Sequence, residues 1–228
     1  MRQIAVIGMG NFGSTVAREL TERGAQVIAI DRSKDKVEAI KETVTYAAAL
    51  DSTDLNALRS VGMHDVDVAV VCIGDDIEAN LLTTILLKKS GVKKIWARAI
   101  SPLQKEILKA LEVDEIIALE EEMGKLIASG LASTNISKHV PLALGHSIAE
   151  VKVPETFVGK TMRQIDPRKK FNVNIVAVKK NVPAIDEYGE RSFSEQIEDV
   201  PSPDAPLEGS EILFVVGKDD NIKKFSSA

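Results

Sequence analysis

A glycine-rich turn near the start of the chain has the residue types and spacing of a phosphate-binding site. Gly8, Gly10 and Gly13 form the pattern GMGNFG, which follows a short apolar run and opens a helix pattern. In such a turn the first glycine allows a tight bend, the second lets a phosphate approach the backbone, and the third lets helix and strand pack closely. The helix N-terminus adds free N–H groups and partial positive charge, so Asn11 and Phe12 are also predicted to lie at the phosphates.

An acidic residue follows at the position expected for ribose recognition. Asp31 ends the next predicted strand, 18 residues after Gly13. Its carboxylate can accept two hydrogen bonds from ribose hydroxyls, and its charge repels a 2′-phosphate. Arg32 would favour such a phosphate, although a solvated loop position is its simpler interpretation. Because turn, helix, strand and acid occur in order, the pattern predicts a nucleotide with an unmodified ribose, which is NAD(H), ATP, ADP or AMP. The alternative is a turn that binds nothing.

A second pair of polar residues ends the third predicted strand. Asp51 and Ser52 lie where the carboxyl ends of parallel strands line a nucleotide crevice, so we expect them to contact adenine. The alternative, of equal weight, is a helix cap formed by Asp51, Ser52 or Asp54.

Short apolar runs alternate with helix patterns over the first 120 residues. The run from Val68 to Ile73 is uninterrupted, which is typical of a parallel strand that is covered on both faces. The alternation predicts an α/β fold, a doubly wound parallel six-stranded Rossmann sheet. The predicted strands are 3–7, 26–30, 45–49, 68–73, 94–98 and 115–118.

The remainder of the chain predicts a second, smaller α+β domain. We place the Rossmann domain at 1–134, including a crossover helix at 121–133, and a polar linker at 135–146. The second domain then covers 147–228, with an acidic, proline-containing loop at 195–210.

Composition excludes several classes of function. The formal net charge is −5 and neither the first 150 residues nor the rest is basic, so nucleic acid is not an expected partner. The longest apolar run has six residues, far below the roughly 20 that span a bilayer, so no membrane insertion is expected. The single cysteine, Cys72, fits a reducing compartment, and we expect a cytoplasmic protein.

The chain offers poor candidates for catalysis. His64, His139 and His146 fall between elements or in the predicted linker, and Cys72 lies inside the most apolar strand. No CxxC, HExxH or GxSxG motif occurs. These observations favour a protein that senses a nucleotide without consuming it. A small NAD-dependent oxidoreductase is the alternative, since that class needs an acid–base pair on a substrate domain.

The motifs taken together resemble the cytosolic regulatory subunits of Ktr/Trk potassium uptake systems, which contain an RCK (regulator of K⁺ conductance) N-terminal and C-terminal domain. The resemblance rests on AVIGMGNFGSTVARELTERGAQVIAID, VAVVCIGDDIEANLLTTILLKKSG and DEIIALEEEMG in the first half. VGKTMRQIDPRKKFNVNIVAVKKN and LEGSEILFVVGKDDNIKKF carry it in the second half. It covers nearly the whole chain.

The resemblance implies further site residues. Gly74 and Asp75 would close the crevice after the fourth strand, and Arg98 would approach the phosphates. Glu120 matches an acidic position at which some Ktr members hold Mg²⁺ or another cation beside ATP. Several Ktr members carry an arginine where this chain has Asn11, which implies weaker discrimination between ATP and ADP.

The resemblance also implies partners and a mode of action. Such subunits form dimers and then octameric rings, peripheral to the inner face of the plasma membrane, beneath a membrane-embedded potassium-translocating subunit. Exchange of ATP for ADP, or of NADH for NAD⁺, changes the ring shape and gates ion flow. Regulation of another cation transporter remains an alternative. In some relatives the C-terminal domain binds cyclic di-AMP, and the corresponding residues here are Ile165, Asp166, Arg168, Asn174 and Ile175.

Overall fold

The computed structural model describes residues 2–131, 135–142, 144–185 and 191–228. The chain divides into two compact units, Met1–Glu121 and Glu122–Ala228, each with its own sheet and its own apolar core. Within the described ranges, no helix has the length and apolar character needed to cross a membrane.

The first unit contains a parallel six-stranded sheet, as the sequence predicts. Its strands run in the order β3-β2-β1-β4-β5-β6, and every neighbouring pair is parallel. The strands are β1 (Gln3–Ile7), β2 (Gln26–Asp31), β3 (Tyr46–Ala49), β4 (Val68–Val71), β5 (Ile95–Arg98) and β6 (Glu115–Ile117). The strand order reverses between β1 and β4, and ligands of open α/β sheets bind at such a switch point.

A helix follows each strand of this sheet, and polar side chains cap the N-termini of three of these helices. They are α1 (Asn11–Glu22), α2 (Lys34–Glu38), α3 (Leu55–Ser60), α4 (Ile77–Lys89), α5 (Pro102–Ala110) and α6 (Leu119–Leu131). The side chains of Asp54, Asp76 and Ser101 accept hydrogen bonds from the first turns of α3, α4 and α5. These bonds satisfy N–H groups that have no partner within their own helix.

Two apolar cores cover the faces of this sheet because successive strand residues point to opposite sides. On β1, Ala5 and Ile7 enter one core, whereas Ile4 and Val6 enter the other. Leu58, Leu87 and Leu108 of α3, α4 and α5 belong to the first core, and Ala17 of α1 belongs to the second. All four residues of β4 are buried, as its unbroken apolar run predicts.

The second unit is built on a five-stranded antiparallel sheet. Its order is β10-β9-β11-β8-β7. The strands are β7 (Ile136–Pro141), β8 (His146–Lys152), β9 (Val173–Ile185), β10 (Arg191–Glu198) and β11 (Ile212–Lys218), and the helices are α7 (Met162–Ile165), α8 (Pro167–Phe171) and α9 (Asp219–Ser226). The rings of Phe157, Phe171 and Phe225 lie 5.2–5.8 Å apart in its core.

Two sequence predictions are corrected in this unit. Residues 135–146, predicted as a linker, include strand β7, which pairs with β8. The predicted loop at 195–210 begins inside β10, whose residues 195–198 pair with β9. Both are edge strands with charged and polar side chains, and therefore lack the apolar signature of an internal strand. Residues 132 and 133 of the predicted crossover helix lie outside the described residues.

Candidate functional site

A cavity of about 520 Å³ opens at the carboxyl ends of the parallel strands in the first unit. This volume is within the range of roughly 300–1,000 Å³ that is usual for small-molecule sites. Nine of the twelve residues predicted to bind the nucleotide line it: Gly8, Gly10, Asp31, Arg32, Asp51, Ser52, Gly74, Asp75 and Arg98. The other three, Asn11, Phe12 and Gly13, lie in the first turn of α1, outside the lining.

The three glycines of the turn have different structural roles. Gly8 has φ +97°, a left-handed conformation that favours glycine, and its N–H donates to Ile30 O over 2.7 Å. A Cβ atom added to Gly13 would lie 1.9 Å from Gly8 O, so helix and turn approach too closely for any side chain. A Cβ on Gly10 would meet nothing within 4 Å. Because Gly10 lines the cavity, the open space beside it is available to a ligand.

The N-terminus of α1 is free to bind an anion. Gly10 is its N-cap residue and supplies no side-chain hydrogen bond, and the first turn contains no acidic residue. The first N–H groups of the helix therefore keep their donor capacity, and the helix dipole favours negative charge at this end. This arrangement fits the phosphate groups of a nucleotide.

Asp31 holds two segments of the cavity wall together. Its side chain is 8% exposed, Oδ2 accepts a hydrogen bond from Met9 N over 2.7 Å, and Oδ1 accepts one from Ser33 N over 2.8 Å. Lys36 Nζ lies 3.8 Å from Oδ2. A carboxylate has about four acceptor positions, so Asp31 can still accept hydrogen bonds from ribose hydroxyls.

Asp51 and Ser52 are both in the cavity wall, but their polar atoms face different partners. Asp51 Oδ1 accepts hydrogen bonds from the hydroxyl and the N–H of Thr53 over 2.6 and 2.8 Å, and these bonds lower the pKa of the Asp51 carboxyl. The buried Ser52 hydroxyl lies 2.8 Å from the hydroxyl of Thr83 on α4. The cap of α3 is Asp54, one of the three residues that the sequence offers for that role.

Arg98 lies beside the N-terminus of α1. Its guanidinium carbon is 5.7 Å from the centre of the Phe12 ring, and Nη1 would be 2.6 Å from a Cβ on Gly74. Gly74 therefore leaves the room that the guanidinium occupies. The carboxylate of Glu120 accepts a hydrogen bond from Nη2, and this bond lowers the pKa of Glu120.

The cation role of Glu120 stays a prediction. Among the residues that the structure describes, no group of three or more His, Cys, Asp or Glu side chains could hold a metal ion. The donor set around Glu120 is instead a guanidinium, which is cationic and supplies no acceptor. The geometry of this side chain fits an ion pair with Arg98.

Asn80, on α4, is a structural residue of the site that the sequence analysis missed. It is fully buried, and its Nδ2 donates to the backbone oxygens of Ile73 and Arg98 over 2.8 and 3.1 Å. The Asn80 side chain thereby links the backbone that follows β4 to the end of β5. A lone amide among the apolar residues of α4 was the available signal, because a buried amide requires partners.

Cys72 provides no nucleophile. The thiol is buried, and burial raises its pKa to about 12, so it stays protonated near neutral pH. His64 is exposed and lies 3.2 Å from Asp65, away from the cavity lining. The titratable side chains that line the cavity are otherwise carboxylates, Lys36 and two arginines, Arg32 and Arg98.

The residues that the resemblance assigns to cyclic di-AMP have mixed accessibility. Ile165 is in the core of the second unit, so its side chain is not available to a ligand. Arg168 on α8 and Asn174 on β9 are exposed. Asp166 adopts φ 51° between α7 and α8.

Known protein families match both units of the chain. The TrkA-N domain family matches residues 4–119, and the TrkA-C domain family matches residues 146–228. The chain belongs to the TrkA family of Ktr and Trk potassium uptake proteins.

Two relatives from Bacillus subtilis (strain 168) illustrate the similarity. Ktr system potassium uptake protein C is 35% identical over 179 residues, which are 78% of this chain and 81% of that protein. Ktr system potassium uptake protein A is 30% identical over 226 residues, which are 99% of this chain and 96% of that protein. The resemblance to this family is thereby confirmed.

A solved structure supports the fold. The crystal structure of the GsuK RCK domain matches with a TM-score of 0.65 at 16% identity, and the match covers 100% of this chain and 48% of that one. The chain therefore has the fold of an RCK domain, and it spans about half the length of that RCK-domain chain.

Proposed function

We propose that this TrkA-family chain is a regulatory subunit that binds an adenine nucleotide in the cavity of its first unit and controls a membrane potassium transporter or channel. One observation carries the proposal. The buried Asp31 carboxylate and the uncapped N-terminus of α1 lie at one cavity, at the strand-order reversal of a parallel sheet. The first can bind ribose hydroxyls and the second can bind phosphates.

The proposed role is sensing without chemistry. The cavity lining contains no histidine, and its one thiol is held protonated by burial. Relatives in the family are named as potassium uptake proteins. A bound nucleotide would then act by its difference in affinity for two conformations of the protein. If the chain is instead an oxidoreductase, NADH absorbance will fall when a carbonyl substrate is added.

The nucleotide itself is the open part of the proposal. An unmodified ribose suits ATP, ADP, AMP and NAD(H) alike, because Asp31 repels a 2′-phosphate. One structure with the RCK fold is described as the GsuK channel bound to NAD. Calorimetric titration with ADP, ATP and NADH, with and without Mg²⁺, ranks these ligands directly and tests for a cation beside the phosphates.

Asp31→Asn tests the ribose contact. We expect nucleotide affinity to fall at least about tenfold, because the charge and one acceptor of the carboxylate are lost. Asp35→Asn, on the exposed side of α2, is the matched control and should bind as the wild type does. Thermal unfolding of both variants separates lost binding from lost structure. An unchanged dissociation constant for a folded Asp31→Asn protein would refute the proposed site.

Self-association is the second part of the proposed function. Helix α6 has an apolar stripe of Met123, Ile127 and Leu131 at helical spacing, and these side chains are 42%, 56% and 84% exposed. Apolar stripes of this kind are usual at subunit contacts. We expect the wild type to form dimers and larger rings, and Ile127→Glu to reduce its mass in light scattering. Glu122→Lys, on the same helix, is the control for a change of charge.

Cyclic di-AMP is proposed as a ligand of the second unit. Exposed Arg168, Lys169 and Lys170 on α8 offer cations for phosphates, and Asn174 offers an amide nearby in sequence. Calorimetry with the full chain tests this, with Arg168→Ala as the disabling variant and Lys160→Ala as its control. No heat at high micromolar cyclic di-AMP would exclude the site.

A further inference from the structure

The Arg98 guanidinium lies at the phosphate end of the proposed nucleotide site, so any role for its neighbours in binding rests on that proposed function. Arg98 is the last residue of β5 and its side chain is only 18% exposed. Its backbone oxygen accepts hydrogen bonds from the side-chain amides of Asn80 and Gln104, so the start of the side chain is fixed. Phe12 and Gly74 then define where the guanidinium lies.

Glu120 contacts this guanidinium from outside the cavity. It is the second residue of α6, its side chain is 54% exposed, and it accepts a hydrogen bond from Arg98 Nη2. Arg98 is part of the cavity lining, whereas Glu120 is not. Arg98 therefore connects the cavity wall to a carboxylate that lies outside it.

We propose that Glu120 is a positioning residue for nucleotide binding, which holds the Arg98 guanidinium in place for the ligand's phosphates. Arginine has five N–H donors, and Glu120 engages Nη2 alone. Nη1 lies against Gly74, and Nε is buried with no hydrogen-bond partner among the described residues. A phosphate can thus be bound while the Glu120 pair stays intact.

The pair strengthens binding because it fixes a long side chain in advance. Without Glu120, a bound phosphate would have to immobilise the arginine itself, which costs affinity. Glu120 is more than half exposed, so solvent screens its repulsion of the phosphates. The gain from fixing Arg98 therefore exceeds the repulsion between Glu120 and the phosphates. Loss of the carboxylate then weakens the binding of phosphate-bearing nucleotides.

Two other roles for Glu120 predict different results. If the carboxylate competed with phosphates for Arg98, removing it would tighten binding. If it were a cation ligand, removing it would abolish only the contribution of Mg²⁺. If Glu120 positions Arg98, its removal weakens nucleotide binding with or without Mg²⁺. The same removal has no effect on binding when Arg98 is absent.

The experiment is a double-mutant cycle on the full chain with ADP as the probe, measured by calorimetry in EDTA and in Mg²⁺. The variants are Glu120→Gln, Arg98→Met, and both together. We expect Glu120→Gln to weaken ADP binding by about threefold to tenfold in both buffers, and to have no further effect in the Arg98→Met background. Glu120→Asp keeps the charge and should recover part of the affinity.

Glu121→Gln is the matched control, since Glu121 pairs with Lys105 on α5 and is outside the cavity lining. It should bind ADP as the wild type does. Tighter or unchanged binding by Glu120→Gln, a loss seen only with Mg²⁺, or an equal loss in the Arg98→Met background would each overturn the proposal. A wild type that binds none of ADP, ATP, AMP and NADH would instead refute the proposed function, and the inference with it.

Discussion

Asp31 ends β2 and Asp51 follows the neighbouring strand β3, yet their carboxylates have different surroundings. Asp31 is buried and bonded to the N–H groups of Met9 and Ser33 in two separate loops. Asp51 is exposed, and its carboxylate accepts hydrogen bonds from Thr53 in its own turn. The spacing from the glycine turn predicts the position of Asp31, but its bond to Met9 depends on the path of the folded loop, which no spacing encodes.

At this scale we predict that Thr53→Val raises the pKa of Asp51. The Thr53 hydroxyl donates over 2.6 Å and favours the ionised carboxylate, so its removal moves the pKa back toward the ordinary value. Because the folded-state pKa is lowered, the associated stability is present above the unfolded-state pKa and is lost as pH falls through the folded-state pKa.

Carboxyl NMR titration measures this change. Asp67 provides an internal reference, since its pKa is also lowered, by a hydrogen bond from Lys93, and should be equal in both proteins. If the Asp51 pKa is the same in Thr53→Val and the wild type, the hydroxyl is not the cause of the shift.

At the scale of an element, the glycines of the turn differ in the space around them. Gly13 has no room for a Cβ because Gly8 O is too close, whereas the space beside Gly10 is open. The sequence predicts the close approach at Gly13 correctly, because the packing of helix against strand is a property of the βαβ unit itself, whereas the phosphate contact of Gly10 stays a prediction.

Gly13→Ala and Gly10→Ala should therefore have different effects. We expect Gly13→Ala to lower the free energy of unfolding by about 2 kcal/mol or more through overpacking. Gly10→Ala should lower it by about 1 kcal/mol or less, since Gly10 is an N-cap with φ −75°, and should weaken ADP binding. Urea denaturation and calorimetry measure the two quantities. Equal stability of the two variants would contradict the geometry of the turn.

Helix α4 is the element whose buried face the sequence did not predict. Its buried residues include Asn80, Thr83 and Thr84, while Ile77 and Leu82 are each 40% exposed. Apolar residues occur all round this helix, so their pattern does not identify one face. The buried face is set by the polar strand ends that Asn80 must satisfy.

Asn80→Ala should destabilise the protein by about 2 kcal/mol or more. It leaves the carbonyls of Ile73 and Arg98 without the donor that they share, and it opens a cavity. Urea denaturation measures this loss. Asn56→Ala, at an exposed position in α3, is the control and should cost far less. Comparable losses for both variants would mean that the buried amide adds nothing.

At the scale of the whole molecule, the two units have separate cores and different sheet types, one parallel and one antiparallel. The sequence predicts the first unit more completely, since its strands are buried and apolar. In the second unit, β9 and β10 are joined by ion pairs between Lys179 and Glu195 and between Lys180 and Glu198. Such pairs form only after the strands align, so the acidic, proline-containing composition of residues 195–210 alone suggests a loop.

Two units with separate cores predict two unfolding transitions in scanning calorimetry. Leu108→Ala should lower one transition and Phe157→Ala the other, each by an amount that corresponds to about 3 kcal/mol, because each side chain is buried in a different core. ADP should raise the transition that Leu108→Ala lowers. A single transition that both substitutions shift equally would show that the units unfold together.

The bonds that hold the glycine turn come from the chain itself: Gly8 N donates to Ile30 O, and Met9 N donates to Asp31. The consequence concerns rates. A nucleotide need not fold this loop in order to bind, so association should proceed without a slow conformational step for every nucleotide that fits. Selectivity among them would then arise from residence time. The protein would therefore respond to a change in nucleotide concentration no faster than its tightest-binding nucleotide dissociates.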